Sequence, residues 1–168
     1  MIEFNEAADT IGVDVMRWLY CGSRPEKDLL FGYHRADEVR RQFLLPLWHV
    51  YSFFVTYANL DGWTPGRGTG LARSLLDDWI LARLNETIGE VTSQLEAYQP
   101  DLAVSAVNVF LDDLSNWYLR RSRRRFWAKA GASQASDEDK DAAYATLYQV
   151  LGSLTRLLAP FVPFVTEV

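Results

Sequence analysis

Thiol and imidazole chemistry is scarce in this chain: Cys21 is the one cysteine and His34 and His49 are the two histidines among 168 residues. A lone thiol builds no disulfide framework and no metal–thiolate cluster, and it fits a reducing cytosol. The two histidines are isolated, with no spacing that suits metal ligation. No glycine-rich phosphate loop follows a strand-like run. Serine, cysteine and histidine are too sparse for a nucleophile–base site. Asp77–Asp78 and Asp112–Asp113 are adjacent pairs, and neighbours on a helix point in different directions. They read as caps, ion pairs or surface. No catalytic, cofactor-binding or metal-binding residue is therefore assigned.

Other absences bound the fold. No alternating apolar–polar pattern exceeds a few positions, so a sheet is not expected. Ile2–Thr10 is acidic and lacks the basic start of a signal peptide. The longest apolar stretch, Phe43–Leu60, is interrupted by Pro46, His49, Ser52, Thr56 and Asn59. A helix apolar on nearly all sides is expected at the centre of a protein core rather than in a membrane.

Helical signals are plentiful. Hydrophobic residues make up 49% of the chain and aromatic residues 14%, enough for one domain with a sizeable core. Asn5–Thr10 reads as a short helical turn ended by Gly12, after which Asp14 is expected to cap a helix through Cys21. Ser23–Asp28 reads as a loop and Leu29–Tyr33 as a brief extended stretch. A long helix is expected from Ala36 to Asn59, kinked or split at Pro46. The run GWTPGRGTG at Gly62–Gly70 is expected to be the most flexible loop. Leu76, Ile80, Leu84, Ile88, Val91, Leu95 and Tyr98 recur at spacings of three and four, one stripe of a helix over about Leu71–Tyr98. A third long helix is expected over Asp101–Lys129, with Val107, Phe110, Leu114 and Trp117 on its inner face. After a loop at Gly131–Ala135, Ser136 and Asp139 suggest a capping box for a last helix to Leu158. Trp79, Leu84, Phe110, Leu114, Leu147 and Leu151 are the expected core. The fold class is all-α, an antiparallel helical bundle with a small N-terminal helical or extended appendage.

One stretch departs from the acidic background. In NWYLRRSRRRFW, Asn116–Trp127, and just beyond it, Arg120, Arg121, Arg123, Arg124, Arg125 and Lys129 place six positive charges in ten positions with no acid among them. The chain's net charge is -5, and without these six residues 11 basic groups face 22 acidic ones, or -11. An acidic body with one basic strip orients a nucleic acid rather than repelling it throughout. Guanidinium groups match phosphate geometry, and flanking aromatic faces can stack on bases. Arg120, Arg121, Arg123, Arg124, Arg125, Trp127 and Lys129 are accordingly the candidate RNA-binding residues. Successive helical residues rotate by about 100°, so three or four arginines are expected to share the exposed side. For Trp117 and Trp127, core packing stands against base stacking, and Trp117 is expected inward. Arg121 shares that side and is expected to pair with Asp112, Asp113 or a distant acid. Lys140 lies outside the strip.

The chain resembles part of a class I aminoacyl-tRNA synthetase of the isoleucyl type. NWYLRRSRRRFW at Asn116–Trp127 is similar to the arginine-rich stretch of that family's anticodon-binding domain. GVDVMRW at Gly12–Trp18, FLLPLWHVYSFFVTYANLDG at Phe43–Gly62, LDDWILARLN at Leu76–Asn85 and LLAPFVPFVTEV at Leu157–Val168 agree in order. The arginine run and LWHVYSFFVTYAN favour isoleucine over valine and leucine. Pro46 and the glycine-rich loop depart from the usual pattern. Neither nucleotide-binding signature of the family, of the His-Ile-Gly-His or Lys-Met-Ser-Lys-Ser type, occurs here.

The resemblance implies that Met1 and Val168 bound a portion of a longer polypeptide. Residues 1–34 would be the end of the catalytic domain or a stem-contact segment, and residues 35–168 an anticodon-binding bundle. Its partners would be the anticodon arm of tRNA(Ile) and the remainder of the parent synthetase. ATP and magnesium would serve the parent, which activates isoleucine and attaches it to tRNA. The fragment alone is expected to be inactive, monomeric and cytoplasmic. A rival reading is a helical interaction module whose basic strip binds an acidic protein.

Overall fold

The computed structural model describes residues 2–24, 26–129, 131 and 133–167, and every regular element within them is helical. Met1, Pro25, Ala130, Ala132 and Val168 lie outside the described residues, and with them the expected boundaries at Met1 and Val168.

Helices α1 (Phe4–Ile11) and α2 (Val13–Cys21) meet at Gly12, whose φ of 91° turns the chain without a Cβ penalty. Gly12 itself occupies the cap position of α2, so Asp14 falls inside the first turn and does not cap it. Its carboxylate instead accepts from the backbone N–H of Phe164 at 3.4 Å and of Val165 at 2.7 Å. Arg17 completes the tie between the two ends of the chain, donating from Nε to Phe161 O at 2.9 Å and from Nη2 to Pro160 O at 2.7 Å. Leu29–Phe31 forms no strand, and Tyr33 already opens a helix.

Helix α3 (Tyr33–Val39), a π-helical turn (Arg40–Leu44) and α4 (Leu45–Leu60) run on without a break. Pro46 was expected to kink or split this rod. The π turn just before it closes the Leu45 N–H onto Arg40 O, five residues back, and so widens the helix where the ring needs space. The expectation of a central core helix is also corrected. Only Val50 and Ala58 of α4 are buried, and Leu45, Trp48, Tyr51 and Leu60 are exposed. Apolar composition all round left the buried face undetermined, and α4 takes a flank of the bundle.

Ser74 and Asp77 form a reciprocal capping box at the start of α5 (Leu75–Glu96). Ala97–Gln99 then reverses the chain into α6 (Pro100–Asp112), a connection short enough to make the two helices antiparallel neighbours. Tyr98, expected on the apolar stripe, sits in this reversal at φ 56° and is 90% exposed. A second π turn (Asp113–Leu119) leads straight into α7 (Arg120–Phe126). Helix α8 (Gln134–Leu158) returns across the bundle and α9 (Pro163–Thr166) closes it. Ser133 caps α8 by accepting from Ser136 N at 3.2 Å. The expected Ser136–Asp139 box therefore lies inside the helix.

The core forms where α5, the α6–α7 rod and α8 meet, through Ile80, Leu84, Phe110, Leu114, Leu147 and Leu154. Trp79 and Leu151, expected to be buried, are half-buried at its edge. Trp18 of α2 joins the same core by stacking on Phe43, with ring centroids 3.7 Å apart. Ala7, Ile11, Val15, Met16 and Ala36 make a separate small cluster.

The glycine-rich segment is docked rather than free. Gly68, at φ +83°, lies so close to α8 that a Cβ there would come within 2.3 Å of Asp141 O. Arg67 beside it donates from Nε to Asp141 Oδ2 at 2.8 Å. The glycines allow close backbone approach, which composition alone reads as flexibility. Among the described residues no helix is long and apolar enough to cross a membrane.

Candidate nucleic-acid interface

The direction of each arginine follows from the π turn. Phe110, Leu114, Tyr118, Ser122 and Phe126 recur at intervals of four and all are buried. In a regular α-helix that spacing drifts round the axis by about 40° per step, because four residues exceed one 3.6-residue turn. The π turn takes more residues per turn and rotates the stripe back. Tyr118 thereby replaces Trp117 on the inner face. Trp117 is 50% exposed, contrary to the inward placement expected from the Val107–Leu114 stripe. The same interval carries Asp112, Asn116, Arg120 and Arg124 along the outside.

Arg120, Arg123, Arg124 and Lys129 are exposed, and none has an acidic partner among the described residues. Arg121 was expected to pair with an acid. Its guanidinium carbon instead stands 4.7 Å from the centroid of the Trp117 ring, a cation–π contact that leaves charge and aromatic surface side by side. Asp113 is taken by Arg83, at 2.9 Å from Nε, and Asp112 by Asn116 Nδ2, at 2.6 Å. Trp127 is 54% exposed, with its ring centroid 6.5 Å from that of Tyr57.

Arg125 leaves the strip. It donates from Nη1 to Asp77 Oδ1 and from Nη2 to Asp77 Oδ2, each at 2.8 Å, a fork-on-fork pair. Its Nε reaches both carboxylate oxygens of Asp139 at 3.0 Å, and Nη2 also donates to Asp139 O at 3.1 Å. Asp77 is fully buried and further accepts from Tyr118 Oη at 2.7 Å and from Ser74 Oγ and N at 2.8 and 2.9 Å. Burial by itself pushes a carboxyl pKa up; here the bonds from Arg125 and Tyr118 outweigh it and hold Asp77 below the ordinary carboxylate range. Burial and the Asp77 charge raise the Tyr118 hydroxyl well above its usual value, so it stays a neutral donor. Burial pulls the Arg125 pKa down, and the bonds to Asp77 and Asp139 more than offset this.

Lys140 is no bystander either. It is buried, with Nζ 2.6 Å from Asp61 Oδ2 and donating to Ala128 O at 2.9 Å just past the end of α7. Asp61 also accepts from Tyr144 Oη. The C-terminal end of the arginine-bearing helix is thus anchored, by Arg125 to α5 and α8 and by the bond from Lys140 to Ala128 O, with Lys140 itself paired to Asp61 at the end of α4. Of these anchors, the sequence carried one local signal, the Ser74–Asp77 box; the pairing of Asp77 with Arg125 spans 48 positions and has none. Among the described residues no three His, Cys, Asp or Glu side chains gather as a metal site requires.

A family model described as the anticodon-binding domain of tRNA ligase matches residues 77–168, more than half of the chain and the part that holds the arginines. The chain belongs to this family of anticodon-binding domains. The isoleucine–tRNA ligase of Dehalococcoides mccartyi (strain CBDB1) is 46% identical over 162 residues, 95% of this chain and 15% of that protein. That of Thermus thermophilus is 46% identical over 162 residues, 94% of this chain and 15% of its own length. That of Clostridium tetani is 40% identical over 164 residues, covering 96% and 15%. The chain thus spans about 15% of the length of these curated relatives, and the likeness runs through α1–α4 as well as the matched domain.

Proposed function

We propose that this chain is the anticodon-arm-binding portion of an isoleucine–tRNA ligase. One observation carries the reading: Arg120, Arg123 and Arg124 are exposed on one anchored helix with no acidic partner among the described residues, beside the Arg121–Trp117 pair, in a protein whose net charge is -5. Unpaired guanidinium groups keep all their donors for phosphate oxygens, and a rigid helix holds them at fixed spacing. Trp117 and Trp127 offer faces for unstacked loop bases. In this reading Arg125 is a positioning residue, because its donors are already spent on Asp77 and Asp139.

The parent enzyme would activate isoleucine with ATP and magnesium and transfer it to tRNA. This chain would hold the tRNA at a distance from that chemistry and bind no cofactor of its own. Residues 1–34 would belong to the junction with the catalytic body and residues 35–168 to the bundle. The chain would work in the cytoplasm, as a monomer, and would not catalyse isoleucine-dependent pyrophosphate exchange by itself.

A binding titration of the 168-residue chain against tRNA(Ile) and against an acidic polypeptide, over a range of salt, tests the proposal. Contact with about four phosphates gives a slope of log affinity on log salt near -3, using the single-strand coefficient. Equal affinity for the acidic polypeptide would favour a protein-interaction module instead.

A further inference from the structure

The glycine-rich segment between α4 and α5 borders an open pocket of about 230 Å³, the liquid volume of about eight water molecules. Trp63 and Arg73 line it from the loop, and Ala142, Ala145 and Tyr148 from α8. We propose that this pocket binds a small monocarboxylate with an apolar body, the carboxylate being received by the Trp63 N–H, the loop amides and Arg73. The site is separate from the tRNA-facing reading above and does not rest on it.

The donors come first. Trp63 is 7% exposed and stacks on Tyr144 with ring centroids 5.7 Å apart, yet its Nε1–H is buried with no acceptor among the described residues. A buried donor without a partner is costly, and a ligand oxygen removes that cost. Along Gly66–Gly70 the sign of φ alternates: it is 99°, 83° and 82° at Gly66, Gly68 and Gly70, and not positive at Arg67 and Thr69 between them. The N–H groups of Arg67, Thr69 and Leu71 close turns onto Thr64, Gly66 and Gly68 O, while those of Gly66, Gly68 and Gly70 make no hydrogen bond among the described residues. Backbone that alternates in this way presents its free N–H groups as an anion-binding concavity. Charge agrees. No Asp or Glu lines the pocket, although the chain's net charge is -5. Arg73 is half exposed and meets Asp78 only at 3.7 Å, a loose surface pair, whereas Arg67 is spent on Asp141. One available guanidinium matches one negative charge. A phosphate dianion would bury a second charge without a counterion, and the ammonium of an amino acid would find no carboxylate. Ala142, Ala145 and the Tyr148 ring are left to meet an apolar body.

The test titrates the isotope-labelled 168-residue chain, without RNA, with benzoate, benzamide and inorganic phosphate. Nuclear magnetic resonance follows the Trp63 indole N–H, assigned by its loss in Trp63→Phe. Benzoate should move this resonance downfield to saturation. Benzamide has the same shape and no charge, and should bind about ten-fold more weakly. Phosphate should give no saturable shift. Arg73→Gln, at an exposed site, should weaken benzoate binding about ten-fold with the melting temperature unchanged. Trp63→Phe keeps an aromatic ring without the donor and, read on the Gly68 and Gly70 amides, should weaken it by a similar factor. If Trp63→Phe does not fold, Arg73→Gln still decides. No saturable shift with benzoate, equal affinity for benzamide or for phosphate, or undiminished affinity in Arg73→Gln would each overturn the proposal. Because RNA is absent, neither outcome bears on the tRNA titration.

Discussion

Replacing Asp77 with asparagine probes the most heavily connected side chain in the molecule. Asparagine keeps the size and one oxygen for the Ser74 cap but removes the charge that faces Arg125. The pair is buried, with 14% of the Arg125 side chain and none of the Asp77 side chain exposed. Breaking a buried pair by neutralising one partner costs about 3–5 kcal/mol, because the other charge is left without its counterion. Asp139, about half exposed, still holds Arg125 at 2.8 Å and moderates the loss, so about 3 kcal/mol is expected. For a chain of this length that is a fall in melting temperature of roughly 6–12 °C. Urea titration followed by circular dichroism at neutral pH measures it. The pH dependence adds an independent check. The folded-state pKa of Asp77 is depressed, so its stabilisation is fully present above the unfolded value of about 4 and fades as pH falls through the folded value. The wild type should therefore lose part of its advantage over Asp77→Asn only in that acid window. A loss under about 1 kcal/mol at neutral pH, or a difference between the two proteins that does not shrink in acid, would refute the assignment of Asp77 as the anchor.

Reversing Arg120 and Arg124 to glutamate should weaken tRNA binding and flatten its salt dependence while leaving the melting temperature unchanged; Arg156→Glu, on the exposed side of α8, is the control. Binding that survives the double reversal would place recognition elsewhere. Leu114→Ala, at the centre of the core, should cost about 2–5 kcal/mol in urea titrations, and a cost well under 1 kcal/mol would contradict the packing described. Gly68→Ala should destabilise by more than about 1 kcal/mol, since it adds both a left-handed backbone strain and a clash with Asp141 O; an unchanged midpoint would show that the loop is not docked.

What the sequence determined by itself was local. Three-and-four spacing places the helices, because an amphipathic stripe must lie on one side of a 3.6-residue turn. The arginine run and the acid-free window around it are visible without coordinates, as are the motifs that point to the synthetase family. The tertiary structure decided which member of each run faces where. Trp117 moved out and Tyr118 in because a π turn shifted the helical phase, and spacing rules assume that phase to be constant. Pro46 sits in an unbroken rod for the same reason. The anchoring arginine is Arg125 and not Arg121, since Asp77 and Asp139 reach it from two other helices; Lys140 is an anchor because Asp61 and Ala128 converge on it. Such pairings join residues far apart in sequence, and ion pairing depends on distance in space, which no local pattern encodes.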